Sequence, residues 1–95
     1  KSQWISGYSM KILFHKIFEK RYKKLPDKIK QKIKERNILF EKDPYNPILN
    51  NHALNGKYMG YRSISITGNI RIIYKFLDTD NILFSDVGTH SELYS

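Results

Sequence analysis

The helical hydrophobic period of this chain ends at Asp43-Pro44-Tyr45-Asn46-Pro47, and that break restricts the fold more than any other feature. Before it, Phe14, Phe18, Tyr22 and Leu25 recur at i, i+4, i+8 and i+11, one stripe of an amphipathic helix. Leu25-Pro26 interrupts that helix, because proline disfavours helical geometry in the residue ahead of it. Pro26 also suits the first position of a new helix, with Asp27 favourable near its positive end. Ile29, Ile33 and Leu39/Phe40 continue the apolar stripe. After the break, 58–67, 70–76 and 82–87 are rich in Ile, Tyr and Ser and alternate as strands do. Lys11–His15 is a further apolar run of strand length. The expected order is β-α-α-β-β-β, an α+β fold with a helical hairpin on one face of a small antiparallel sheet.

Gly68-Asn69 is a two-residue hairpin signal. That turn would set Ile66 opposite Arg71, Ile64 opposite Ile73 and Arg62 opposite Lys75. Ile70, Ile72, Tyr74 and Phe76 would then meet the helices, and Arg62, Arg71 and Lys75 would line the open face. A slip of one residue would turn a strand over, because side chains alternate with a period of two. Asn50–Gly60 reads as a polar loop, and Thr89–Tyr94 as a short tail. Residues 1–9 carry neither period, and Met10 opens the patterned region. They are expected to be an expression remnant or a disordered leader, beside one domain over 10–95.

The chain has 95 residues, 17 basic and 9 acidic, for a formal net charge of +8. From Lys11 to Arg36 there are eleven basic residues and three acids, so this stretch carries the whole imbalance. A solvated basic helix face is one reading; an anionic partner such as nucleic acid is the other. No cysteine is present, which excludes disulfide staples, thiolate metal sites and cysteine nucleophiles. No apolar run is long enough to span a membrane. A cytoplasmic protein is expected.

His15, His52 and His90 lie far apart in sequence, and none has a neighbour at metal-ligand spacing. No phosphate loop, dinucleotide fingerprint or nucleophile elbow occurs. Acid–base chemistry without a metal is what remains. Two imidazoles around a phosphate can serve as base and acid, and an adjacent arginine can stabilise developing charge. Each residue also has an ordinary reading. His52 would then stand on the surface or cap a turn, His90 would pack, and His15 reads as structural. Arg71, alone in an apolar strand, would mark an anion site or pair with an acid such as Asp86. Tyr94 would stack on a base or hold the tail against the sheet.

Taken whole, Met10–Tyr94 resembles the RelE/ParE superfamily of type II toxin–antitoxin toxins, within it the RelE and YafQ-like messenger-RNA interferases. The carriers are Phe18–Pro26 (FEKRYKKLP), Asp43–Pro47 (DPYNP), His52–Gly56 (HALNG), Gly60–Ile66 (GYRSISI), Arg71–Phe76 (RIIYKF) and Asp86–Tyr94 (DVGTHSELY). The resemblance implies an endoribonuclease that cuts messenger RNA, commonly on the ribosome, with no cofactor or metal. In such enzymes the ribose 2′-hydroxyl attacks the adjacent phosphate, leaving a 2′,3′-cyclic phosphate and a 5′-hydroxyl.

By matching position, His52 is the implied base, His90 the implied acid and Arg71 the group that neutralises the transition state. Tyr94 would seat the RNA, and Lys57 and Arg62 would touch phosphate. YafQ-like members carry a further His and an Asp-Trp pair where this chain has Ser65, Asn69 and Ile70, while Arg71 is a feature of the RelE side. The implied partners are messenger RNA, the ribosome and a cognate antitoxin. A ParE-like gyrase inhibitor, acting by binding alone, and a catalytically dead interaction module are the competing readings; the His52/His90 pair favours the nuclease over the gyrase binder.

Overall fold

A computed structural model describes residues 10–94; the expectation for residues 1–9 lies outside the described residues. The elements are β1 (Lys11–Phe14), α1 (Lys16–Lys23), α2 (Asp27–Lys42), β2 (His52–Ala53), β3 (Arg62–Ser65), β4 (Ile70–Phe76), β5 (Asn81–Thr89) and α3 (His90–Tyr94). Short 3-10 turns at Pro47–Leu49 and Gly56–Tyr58 flank β2. The α+β class and the helical hairpin stand as expected. The sheet differs: it is five-stranded and mixed, in the order β1-β5-β4-β3-β2.

Hairpins make β2 to β5 an antiparallel meander, with β2 at one edge. β1 occupies the other edge and runs parallel to β5, from Lys11 opposite Asn81 to Phe14 opposite Phe84. A parallel neighbour requires a long crossover, and the helical hairpin with its following strands supplies it.

His15 follows β1 and caps α1, its Nδ1 accepting the Ile17 N–H at 3.1 Å. Its role is structural, as read from the sequence. Pro26 stands one residue earlier than expected, as the extended cap of α2, with Asp27 its first residue. The two helices bury Phe18, Ile33 and Phe40 against Ile64, Ile66, Ile72, Tyr74, Ile82, Phe84 and Val87. Phe40 is fully buried, its ring edge-on to Tyr74 at 5.0 Å and tilted against Phe84 at 5.9 Å.

Two local irregularities decide which side chains face which way. The β3–β4 turn is not the expected two-residue hairpin. The Thr67 hydroxyl accepts the N–H groups of Asn69 and Ile70, at 3.1 and 2.9 Å. Neither Gly68 nor Asn69 adopts the positive φ that the two-residue turn requires. The Ile66 N–H therefore donates to the Ile70 carbonyl at 2.8 Å across a three-residue loop. The register becomes Arg62–Tyr74, Ser63–Ile73, Ile64–Ile72 and Ser65–Arg71. This slip turns β3 over, so Ile64 and Ile66 enter the helix-side core and Arg62 leaves the face it was expected to share with Arg71 and Lys75.

The second irregularity is a bulge. Ile73 faces Asp86 but Tyr74 faces Phe84, leaving Ser85 unpaired. Phe84 and Val87 can then both point into the helix-side core, while Asp86 stands on the other face and meets Arg21 at 3.4 Å. Among the described residues Arg71 has no ion pair with Asp86.

The second face is not open along its length. Ile73, Leu93 and Leu54 form a small separate core, flanked by Tyr58, Tyr61 and Tyr94. The expected tail is α3, which covers this face. Thr89 and Glu92 start it with reciprocal bonds: the Thr89 N–H donates to Glu92 Oε1 at 2.7 Å, and the Glu92 N–H donates to Thr89 Oγ1 at 3.2 Å. Among the described residues no helix is long and apolar enough to cross a membrane.

Candidate active site

Tight backbone geometry presents His52. Asn50 adopts the left-handed conformation at φ 46°, which asparagine tolerates better than most residues. Its carbonyl lies 2.8 Å from His52 Nδ1. A carbonyl only accepts, so Nδ1 carries the hydrogen, which in the neutral ring leaves the lone pair on Nε2. The two-residue β2 pairs His52 with Ser63 and holds the exposed ring at the sheet edge.

The segment ahead of His52 is tied down by Asn51. Its amide donates to the Pro44 carbonyl at 2.9 Å and to the Tyr74 hydroxyl at 2.7 Å, and its carbonyl oxygen accepts from Arg62 Nε at 2.8 Å. The Arg62 guanidinium also lies 5.4 Å from the Tyr45 ring centre. Burial raises the Tyr74 hydroxyl pKa above the usual tyrosine value, with the Asn51 bond and Arg62 opposing the shift.

Arg71 is half-buried on β4, and its Nη1 donates to Ser65 Oγ across the β3–β4 pair at 2.6 Å. His90 opens α3, exposed, one turn before Tyr94; their ring centres are 4.6 Å apart at 49°. Tyr94 stands edge-on to Tyr58 at 5.8 Å, and the Tyr58 hydroxyl donates to the Leu93 carbonyl at 3.0 Å. Desolvation, reinforced by Asp86 and Tyr94, raises the Tyr58 pKa.

These elements enclose an open cleft of about 360 Å³, lined by Asn50, His52, Ala53, Leu54, Asn55, Arg71, His90 and Tyr94. No carboxylate lines it. Four of the six candidates read from the sequence meet here: His52, Arg71, His90 and Tyr94. The other two do not line the cleft. Lys57 sits 5.3 Å from the ring of Tyr58, and Arg62 holds Asn51 from the other side of β3.

Asn50, Asn51 and Ser65 support the site without having stood out in the sequence. The consecutive asparagines after Pro47 are a readable turn signal; Ser65 becomes visible only with the register. Chemically, the cleft offers two imidazoles and a guanidinium, a set suited to proton transfer around an anionic centre. Among the described residues no group of three or more His, Cys, Asp or Glu side chains gathers to hold a metal.

The architecture is that of small bacterial toxins. YafQ from E. coli strain BL21(DE3) superposes with a TM-score of 0.77 at 23% identity, over 92% of this chain and 100% of that one. YafQ in the E. coli DinJ–YafQ toxin–antitoxin complex gives 0.75 at 23% identity, over 92% and 99%. A YoeB/ParE toxin from Agrobacterium tumefaciens gives 0.73 at 19% identity, over 85% and 99%. No curated protein sequence matches. The family model for YafQ, bacterial toxin of type II toxin–antitoxin systems, matches residues 10–95, and the chain belongs to that family.

Proposed function

We propose that this chain is an endoribonuclease toxin that inhibits translation by cutting messenger RNA on the ribosome. The observation that carries the reading is the convergence of His52, Arg71, His90 and Tyr94, from β2, β4 and α3, on one carboxylate-free cleft.

In this mechanism the RNA supplies its own nucleophile. The free Nε2 of His52 takes the proton of a ribose 2′-hydroxyl as its oxygen attacks the adjacent phosphorus. Arg71, held by Ser65, faces the charge that accumulates on the pentavalent phosphorane. The bond from phosphorus to the 5′-oxygen breaks, and protonated His90 gives its proton to the departing oxygen. The products are a 2′,3′-cyclic phosphate and a 5′-hydroxyl, with no bond left to the protein and no cofactor consumed. Tyr94 offers its ring to a base beside the cut. Lys57 and Arg62 stay outside the reacting centre, Arg62 acting through Asn51 on the His52 segment.

The partners are messenger RNA, the ribosome and an antitoxin that occupies the toxin between uses, in the cytoplasm. The experiment is incubation of the purified protein with translating ribosomes and a defined message, beside His52→Ala and His90→Ala. Cleavage by the wild type and loss in both variants is expected. An uncut message, together with blocked DNA supercoiling by gyrase, would overturn the reading in favour of a ParE-like binder.

A further inference from the structure

A second cleft, of about 370 Å³, adjoins the first and shares Asn50 and Arg71 with it. Lys32 and Arg36 of α2 form one wall, and Ser65 to Gly68 of the β3–β4 turn form the other. No acidic residue lines it. Lys32 and Arg36 stand four residues apart on α2, so like charges share one helix face, a spacing that destabilises a helix unless something neutralises it. Nothing described in the protein does so: among the described residues the ion pair within 4 Å is Arg21 with Asp86. Arg36 Nε is moreover buried without a hydrogen-bond partner, so no internal acceptor fixes this half-buried side chain at that atom. An added Cβ at Gly68 would meet nothing within 4 Å, so the turn leaves the cleft open.

We infer that this cleft binds a phosphodiester of the same RNA strand, next to the one in the His52/His90 cleft, with Arg71 at the junction. The inference rests on the ribonuclease reading and adds to it a second contact, which would favour longer strands over a dinucleotide. Lys32 and Arg36 supply charge and donors to a backbone phosphate, which is sequence-independent; any choice of base belongs to the first cleft.

The test uses uncleavable 2′-O-methyl RNAs of two and four nucleotides, followed by NMR titration of the whole chain. The dinucleotide should move the resonances of His52, His90, Arg71 and Tyr94. The tetranucleotide should also move Lys32, Arg36 and Gly68, and should bind more tightly. Lys32→Gln/Arg36→Gln should abolish that gain while leaving dinucleotide Kd unchanged. The same variant should lower the slope of log Kd against log salt by about 0.7 for each phosphate it no longer neutralises. Lys20→Gln/Lys28→Gln, of equal charge but outside the cleft, should keep the gain.

An equal gain in the cleft variant, or an unmoved Arg36, overturns the inference while leaving the first cleft intact. A tetranucleotide that moves Lys32 and Arg36 but not His52 or His90 overturns the ribonuclease reading on which it rests. Duplex RNA that moves Lys32 and Arg36 as strongly as the tetranucleotide assigns the cleft to structured RNA such as the ribosome's own, and overturns it too. Retained backbone shifts elsewhere distinguish an intact variant from an unfolded one.

Discussion

Asn51 shows how a side chain outside the proposed chemistry positions the residue proposed to perform it. It ties the Pro44 carbonyl, the Tyr74 hydroxyl and Arg62 into one knot beside His52. Asn51→Ala leaves the fully buried Tyr74 hydroxyl without its hydrogen-bond donor, at a cost of about 1–3 kcal/mol. For a domain of this size that lowers Tm by about 4–8 °C per kcal/mol, read by thermal denaturation. At the cleft, Arg71→Ala should lower kcat about 100-fold, as removal of a preorganised charge stabiliser does elsewhere. Ser65→Ala should lower kcat less, with KM little changed, because the guanidinium remains and only its aim is relaxed. Arg62 marks the limit of reading at this scale. Its type and strand position were legible, but its direction depends on a register set by the Thr67 hydroxyl.

At the scale of elements, α3 carries two of the proposed site residues on five residues of helix, too short to hold itself together. The Thr89/Glu92 box and the burial of Leu93 must do so. Thr89→Ala should cost about 1 kcal/mol and speed amide exchange across 90–94. Glu92 also makes the element pH-sensitive. Its carboxyl pKa is lowered by the Thr89 backbone N–H, then by the Thr89 side chain. A lowered folded-state pKa means the contribution is complete above the unfolded carboxylate range and is lost as pH falls through the lower folded value. The α3 amides should therefore lose protection on acidification below about pH 4, a loss that Glu92→Gln, already uncharged, should not show.

The long amphipathic helices and β4 were legible because many residues repeat one period. β2 was not, since two residues cannot display an alternation, and the Ser85 bulge leaves no mark on a strand that still reads as apolar. The Thr-x-x-Glu pattern of α3 was present in the chain and readable as a helix start.

Across the whole molecule, most of the basic side chains lie apart from the imidazole cleft, Lys32 and Arg36 beside Arg71 being the exception. The excess of positive charge lies on residues 11–36, largely α1 and α2, while the imidazole cleft lies at the edge of the sheet and the start of α3. Under the proposed function, a docking surface and a cutting site on different elements would separate in salt dependence. Neutralising Lys28, Lys30 and Lys34 should weaken association with ribosomes more at low salt than at high salt. The log–log slope should fall by about 0.7–0.9 for each phosphate that the variant no longer neutralises. An unchanged slope in a binding titration would remove α2 from the ribosome contact.

If the RNA's own 2′-hydroxyl is the nucleophile, the chemistry of the cut ends records it. With wild-type protein, ribosomes and a defined message, each cut should carry a 2′,3′-cyclic phosphate and a 5′-hydroxyl, and a single 2′-deoxy nucleotide on the 5′ side of the cut should abolish cleavage there. Ends bearing a 3′-hydroxyl and a 5′-phosphate, or an undiminished cut at the deoxy position, would contradict it.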